Sequence, residues 1–302
     1  MVIDTSSPLG LGIDAGGTRT RWALADGTGA LVADGEVAGL SALQMESSAG
    51  RTGLHARLAS LADAVLARGK PSHIRAGLTG FGGDGAQLQL WLSTLFDIPA
   101  SSIALCSDIE IAYAACFQPG DGYLVYAGTG SIGAWIDGAG VFHRAGGRGV
   151  VLDDGGGGFW IARAALRHIW RIEDEQPGAW SQSPMACAVF DHIGGSDWAL
   201  SRQFIYGQER GAIGQLALAV AASANLDPAA ADILRAAGRE LARLALALRG
   251  RFGPRPVALS GRAATLHPMI VDAMRAALPA DLPLTLASTD AHLAAARAAA
   301  SL

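Results

Sequence analysis

Asp14 stands next to Gly16-Gly17-Thr18 near the start of the chain, and this juxtaposition carries the first chemical signal in the sequence. Glycines let the backbone approach a bulky anion and aim its N–H groups at it. A carboxylate at the same place would repel a phosphate unless a cation lay between them. Asp14 with this turn therefore points to a metal–nucleotide site rather than a bare phosphate site. An ordinary β-hairpin with a Gly turn reads the same stretch equally well. A second Ala-Gly turn, Gly128-Thr129-Gly130, occurs more than a hundred residues later. The segments Asp26-Gly27-Thr28-Gly29-Ala30-Leu31 and Asp137-Gly138-Ala139-Gly140-Val141-Phe142 each follow their own turn at nearly the same distance. Two strand–turn–strand–turn–strand units, each opening one half of the chain, indicate an internal duplication.

The elements that must position these turns follow from periodicity. Pro8 to Ile13 and Arg19 to Leu24 read as strands, with a third at Gly29 to Val37. Helices are expected over Glu46–Arg68, Gln87–Phe96 and Ile109–Phe117, alternating with strands at Ile74–Thr79 and Ser102–Cys106. The second half opens with strands at Tyr123–Ala127, Ser131–Ile136 and Val141–Arg144. Helices then follow at Phe159–Ile172, around 196–206 and 208–224, and at Ala229–Leu248, where Asp227-Pro228 supply N-cap and N1. Val257–Leu259 is a strand leading to Ser260-Gly261-Arg262 and another helix. Leu284–Ala287 is the last strand, and Thr289 or Asp290 caps a final Ala-rich helix. Antiparallel strands followed by strands alternating with helices indicate α/β domains with mixed sheets. Gln118-Pro119-Gly120 marks the boundary between domains 1–117 and 118–302, and the last helix is a candidate to pack back on the first domain. A nucleotide would lie in the cleft between the duplicated halves.

Composition narrows the partners. The 302 residues are half hydrophobic and 17% charged, with a formal net charge of -4 and no Lys/Arg run. That balance argues against nucleic acid or an anionic membrane as the partner. Three cysteines at unrelated spacings, Cys106, Cys116 and Cys187, fit a reducing cytoplasm and mark no zinc site. Residues 1–8 contain Asp4 and lack the apolar core of a signal peptide. Gly128-Thr129-Gly130-Ser131-Ile132-Gly133 fits the GxGxxG dinucleotide spacing, but Ala134 to Gly138 continues as strand and turn where a Rossmann site needs a helix. No GxxxxGK[ST] motif occurs.

Five elements stand in one order: DAGGT, a strand ending in SD, AGTGS, GGRG with DDGGGG, and LSGRAA. That ordered set resembles the sugar kinase/Hsp70/actin superfamily, within it the branch of N-acetylglucosamine kinase, glucosamine kinase and the BadF/BcrA-type ATPases. The resemblance implies a duplicated actin-like (ribonuclease H-like) α/β fold that closes over its substrate. It implies Asp14 as the water-mediated Mg²⁺ holder, and Gly16, Gly17 and Thr18 as the cradle for the ATP β/γ-phosphates. It makes Gly128, Thr129 and Gly130 the second phosphate loop and Gly261 the adenosine contact. Asp108 falls where these kinases carry the general base, with helix N-capping as its alternative use. Gly147, Arg148 and Asp154 fall near the sugar. Leu43 stands where hexosamine kinases of this branch carry a sugar-binding asparagine, which makes polar Gln44 the neighbouring candidate. The acid-Gly-Ser part of the family's GDEGS-like motif is replaced by glycines at 155–157.

The implied activity is ATP-dependent phosphorylation of an amino sugar, N-acetylglucosamine to its 6-phosphate first and glucosamine second. The implied partners are a small-molecule sugar and no macromolecule, with a homodimer as the candidate assembly. An ATPase activator of a dehydratase or reductase would need paired cysteines for an iron–sulfur cluster in the second half, where only Cys187 stands. A sugar-responsive repressor would need a helix-turn-helix ahead of the first strand, and ROK-type kinases a cysteine-rich zinc loop.

Overall fold

A computed structural model describes residues 8–17, 19–83, 85–287 and 290–302. Thr18 and Thr289 lie outside the described residues. The chain forms two compact units, residues 1–118 with 290–302, and residues 119–289.

In the first unit β1 (Gly10–Ala15), β2 (Arg19–Ala25) and β3 (Leu31–Ala38) form an antiparallel meander. A 3-10 turn at Ala42–Glu46 precedes α1 (Ser48–Leu66), which leads to β4 (His73–Leu78), α2 (Ala86–Phe96), β5 (Ile103–Ser107) and α3 (Asp108–Ala114). The sheet order is β3-β2-β1-β4-β5, with β1, β4 and β5 parallel. Alternation along β1 divides its side chains between two layers. Leu11, Ile13 and Ala15 join a core with Leu54, Leu58 and Leu61 of α1 and Leu88, Leu92 and Phe96 of α2.

The second unit repeats the plan. Strands β6 (Tyr123–Ala127), β7 (Ser131–Ile136) and β8 (Phe142–Gly146) are antiparallel neighbours. Helices α4 (Gly158–Glu175), α5 (Pro184–Ile193), α6 (Trp198–Gly207), α7 (Arg210–Gly214), α8 (Leu216–Ser223) and α9 (Pro228–Phe252) follow, then β9 (Val257–Ser260), α10 (Pro268–Ala277) and β10 (Leu284–Leu286). The order β10-β9-β6-β7-β8 is the first sheet's order read from the other edge, with β6, β9 and β10 parallel. The duplication read from the two Gly turns is thus a duplication of topology. The helix at 208–224 is two, broken at Gln215, and α5 was not anticipated, although Ser183-Pro184 gives the cap-and-N1 signal that marked α9.

Asp227 caps α9 as expected and does more. Its carboxylate accepts from Ala229 N (2.9 Å) and from Ser183 Oγ (2.6 Å) and Met185 N (3.1 Å) at the start of α5. One buried acid therefore ties together two helix N-termini.

The final helix α11 (Ala291–Ala300) belongs to the first unit and lies on the β1–β2 face opposite α1 and α2. Its backbone comes so close that a Cβ on Gly12 would stand 2.0 Å from the His292 carbonyl oxygen, and one on Gly10 2.1 Å from Ala300 N. Only glycine permits that approach. Among the described residues no single helix is long and apolar enough to cross a membrane.

Candidate active site

The parallel strands β1, β4 and β5 end at one edge of the first sheet, where ligands of α/β sheets bind. Register places Asp14 opposite Gly77, and Leu78 opposite Ser107. Asp14 and Asp108 therefore leave the sheet at the same edge. Arg21, the cross-strand neighbour of Asp14 in β2, donates from Nη2 to Asp14 Oδ2 at 2.8 Å, and its Nη1 lies 3.7 Å from Asp290 Oδ1 at the start of α11. His292, the second residue of α11, is 6% exposed, and its Nδ1 has no hydrogen-bond partner among the described residues. Burial, and then the Arg21 charge, hold its imidazole below the ordinary histidine value.

Asp108 is not the cap of α3. That position belongs to Ser107, whose hydroxyl accepts from Glu110 N (3.2 Å), while Glu110 Oε2 accepts from Ser107 N (2.8 Å) and Ser107 Oγ (2.7 Å). This closed capping box leaves the Asp108 carboxylate available for other work. Its Oδ2 accepts a 2.6 Å hydrogen bond from Thr79 Oγ1. Burial pushes the Asp108 carboxyl above the ordinary carboxylate range; the Thr79 hydroxyl opposes the shift and the Asp14 charge adds to it. Thr79 is itself held on three sides. Its N–H donates to Ala15 O (3.0 Å), and its carbonyl accepts from Ala42 N (2.9 Å) and Ser41 Oγ (3.1 Å). It links the end of β1, the loop after β3 and Asp108.

Gln44 lies in that loop and closes a second capping box, its Oε1 accepting from Ser41 N at 3.4 Å. Leu43 is 56% exposed and packs over Gly80, whose φ of +76° continues the turn after β4. Gly16 donates to Arg19 O (3.1 Å) and its carbonyl accepts from Leu40 N (3.1 Å), which fixes the first Gly turn at both ends.

In the second unit Gly128 N donates to Gly130 O (2.9 Å), and the carbonyls of Gly128 and Thr129 accept from Gly158 N (2.9 Å) and Phe159 N (3.0 Å). The first N–H groups of α4 are thus used on the turn itself. Among the described residues the N–H groups of Thr129 and Gly130 have no hydrogen-bond partner. The residues after Gly130 form β7, so the GxGxxG spacing opens no helix. Gly261, with φ +98°, follows β9 where a Cβ would stand 2.4 Å from Ala127 O, packed against the end of β6.

The loop between β8 and α4 is anchored from within. Gly147 N donates to Ser131 O (3.1 Å). Buried Asp154 takes φ +56°, accepts from Gly149 N (3.0 Å) on Oδ1 and sets Oδ2 against Gly130. Burial pushes its carboxyl up, and the Gly149 N–H opposes that. Asp153 pairs with Arg243 (2.8 Å), which also holds Glu240 (2.9 Å). Arg148 is exposed.

Asp14, Asp108, Gly16 and Gln44 therefore surround one strand edge of the first unit. Gly128, Thr129, Gly130, Gly147, Asp154 and Gly261 gather at the corresponding edge of the second. Thr79 and Arg21 were not among the expected residues. Arg21 alternates with Arg19 in β2 and faces Asp14, a cross-strand pairing legible once the hairpin register is known.

The model of the BadF/BadG/BcrA/BcrD ATPase family matches residues 11–279. The chain belongs to that family. No curated protein matches the sequence. Among solved structures it is similar to a Chromobacterium violaceum protein provisionally designated an N-acetylglucosamine kinase, at 24% identity and a TM-score of 0.68, with 96% of this chain and 98% of that one covered. A Porphyromonas gingivalis protein with the same provisional designation is 18% identical at a TM-score of 0.70, covering 94% and 96%. A ROK family glucokinase of Streptomyces griseus, solved with glucose and AMPPNP, is 18% identical at 0.62, covering 96% and 98%. At these identities the likeness establishes the fold, a duplicated actin-like α/β architecture with two domains, as expected from the ordered motifs.

Proposed function

We propose that this ATPase-family chain is an ATP-dependent kinase that transfers the γ-phosphoryl group to a hydroxyl of an amino sugar, N-acetylglucosamine at its 6-hydroxyl first and glucosamine second. The observation that carries the reading is Asp108: a partly buried carboxylate at the sheet edge, relieved of capping by Ser107 and oriented by Thr79. Phosphoryl transfer asks the protein mainly for positioning, charge neutralisation and a carboxylate to take the hydroxyl proton. In this reading Asp108 accepts the proton of the acceptor hydroxyl as its oxygen bonds to phosphorus and the bond to the ADP oxygen breaks.

The oxygen donors of the first unit fit a nucleotide-borne Mg²⁺. Among the described residues no three His, Cys, Asp or Glu side chains converge on a metal site. Magnesium that arrives with nucleotide phosphates needs only one or two protein carboxylates and otherwise keeps its water. Asp14 supplies such a carboxylate, with Arg21 fixing one of its oxygens. Bound there, Mg²⁺ would neutralise charge on the phosphates. Gly16, Gly17 and Thr18 would cradle the β/γ-phosphates, the free N–H groups of Thr129 and Gly130 would meet phosphate oxygens, and Gly261 would leave room for adenosine. Gly147, Arg148, Asp154 and Gln44 are the proposed sugar contacts. The reading takes neither nucleic acid nor membrane as partner, places the enzyme in the cytoplasm, and makes a homodimer the assembly to test by light scattering.

The test is a screen of the purified protein with Mg-ATP against hexoses, hexosamines and N-acyl hexosamines, following ADP release and the mass of the sugar product. The expected result is sugar 6-phosphate formation, greatest with N-acetylglucosamine and abolished by EDTA. ADP release without any sugar phosphate, or full activity in EDTA, would refute the reading.

A further inference from the structure

The first unit carries two adjoining cavities that none of the proposed catalytic or sugar-binding side chains line. One, of about 270 Å³, is lined by Ala42, Met45, Gly80, Phe81, Gly82, Gln87 and Leu88. The other, of about 520 Å³, is lined by Ser48, Arg51, Thr52, His55, Gln87 and Trp91. Gln87 lines both, and Arg51 reaches from the second to donate from Nη1 to the carbonyl of Met45 in the first, at 2.9 Å. The two meet at Gln87 as one groove, its inner part between the Ala42–Glu46 turn, the loop after β4 and the start of α2, its outer part between α1 and α2.

Its inner end is fixed relative to the proposed base. Gly80 follows Thr79 directly, and Ala42 donates to the Thr79 carbonyl, while the Thr79 hydroxyl bonds to Asp108. The groove therefore starts one residue from the group that orients Asp108 and runs away from it. A monosaccharide placed with one hydroxyl at Asp108 would leave the outer cavity empty.

The outer lining has the chemistry of a carbohydrate subsite. Carbohydrate recognition combines an aromatic side chain with planar and hydroxyl hydrogen-bonding groups, and pockets of this kind hold a few convergent polar groups around an apolar floor. Trp91 supplies the indole, with the His55 ring set against it at 5.1 Å in an edge-on arrangement. Arg51, Thr52, Ser48 and Gln87 supply donors and acceptors in the same lining. The Gln87 amide makes no hydrogen bond among the described residues, so it can donate and accept at the junction. Among the described residues the lining holds one cation and no carboxylate, which suits a neutral or acidic glycan.

We infer that the groove between α1 and α2 is a second saccharide subsite, so that the preferred acceptor is a glycan of at least two rings whose outer ring rests against Trp91. This rests on the kinase reading given above and deepens it by naming the acceptor class. An acceptor substituted with a plain acyl chain would also enter the inner cavity, but it would leave the hydrogen-bonding wall of Arg51, Thr52 and Gln87 unmatched.

The experiment compares N-acetylglucosamine, glucose and glucosamine with a panel of their disaccharides, including the β-1,4-linked dimers, on wild-type protein and on Trp91→Ala, Thr52→Ala and Asp108→Asn. Binding is read by calorimetry with AMPPNP and Mg²⁺, and transfer by product mass. A subsite making two or three such contacts should favour at least one disaccharide over its monomer by about tenfold in kcat/KM. Trp91→Ala and Thr52→Ala, which line only the outer cavity, should erase that preference while leaving monosaccharide turnover within about twofold. If every monosaccharide is phosphorylated as well as its dimer, or if the groove variants lower both alike, the subsite is refuted and the kinase reading stands. If a disaccharide binds through Trp91 but no sugar is phosphorylated, the kinase reading fails and the groove remains a glycan site. Binding only of N-acyl-chain analogues, with disaccharides excluded, also overturns the proposal.

Discussion

Gly12→Ala should unfold the first unit far more easily than the gain of one methyl group suggests. The added Cβ would meet the His292 carbonyl oxygen at 2.0 Å, Ala296 N at 2.3 Å and the Ala295 carbonyl carbon at 2.9 Å. All three are backbone atoms of α11, so no side-chain rotation relieves the clash. Non-bonded heavy atoms settle at about 3.5 Å or more, so the helix must retreat by roughly 1.5 Å. That retreat opens the contact of Ala296 and Ala300 with Ala23 and Ala25, which are all buried. Overpacking of this kind costs about 1–3 kcal/mol, and a clash with main chain lies at the upper end. At about 4 °C per kcal/mol the unfolding midpoint should fall by roughly 10 °C. The same substitution at Gly53 is the control, because a Cβ there meets nothing within 4 Å and the residue lies inside α1. Gly53→Ala should raise stability by about 0.5–1 kcal/mol through helix propensity. Thermal denaturation of the two variants beside wild type decides the matter. A Gly12→Ala protein that melts with wild type, or two variants that shift in the same direction, would refute the packing of α11 on β1.

Two further substitutions probe the polar network. Thr79→Val removes the hydroxyl that stabilises charged Asp108, so the acid limb of the kcat/KM profile should move to higher pH, and Thr79→Ser should restore it. Because burial already raises the Asp108 carboxyl, the wild-type acid limb should itself lie above the ordinary carboxylate range; a limb at or below that range would contradict the assignment. Asp227→Ala should cost about 2–3 kcal/mol at neutral pH, since two helices lose a cap. Burial pushes the Asp227 carboxyl up, but its four donors together hold it below the usual value. Its stabilisation is therefore present above the ordinary carboxylate pKa and lost as pH falls through the lower folded value, so the gap in chemical denaturation between wild type and variant should close on acidification. A gap independent of pH would count against the charged cap.

Much of the architecture was legible because it is written locally. Each half announces itself by a strand, an Ala-Gly turn and a returning strand, and α9 by Asp227-Pro228. Two capping boxes were equally local and equally readable, Ser41-x-x-Gln44 and Ser107-x-x-Glu110. Reading them would have given Gln44 a structural duty and released Asp108 from one. Thr79 could not be found this way. Its partner lies 29 residues on, and only the parallel pairing of β4 with β5 brings the hydroxyl to the carboxylate. Gly10 and Gly12 read as weak strand residues, and their purpose depends on a helix almost three hundred residues away in the chain. The groove along α1 and α2 is likewise a product of packing: Trp91 and His55 look like ordinary helix-surface residues until the two helices meet.

The central claim is that Asp108 takes the proton of a sugar hydroxyl during phosphoryl transfer from ATP. Steady-state kinetics of Asp108→Asn, beside its melting curve with and without Mg-ATP, tests it most directly. Asn keeps the shape of the side chain, and Ser107 with Glu110 keeps the helix cap, so the protein should melt near wild type and gain the same stability from Mg-ATP. Loss of the proton acceptor should lower kcat by about 10² or more, since general-base catalysis contributes about 10²–10⁴. A correctly folded Asp108→Asn protein that phosphorylates N-acetylglucosamine at close to the wild-type rate would contradict the account.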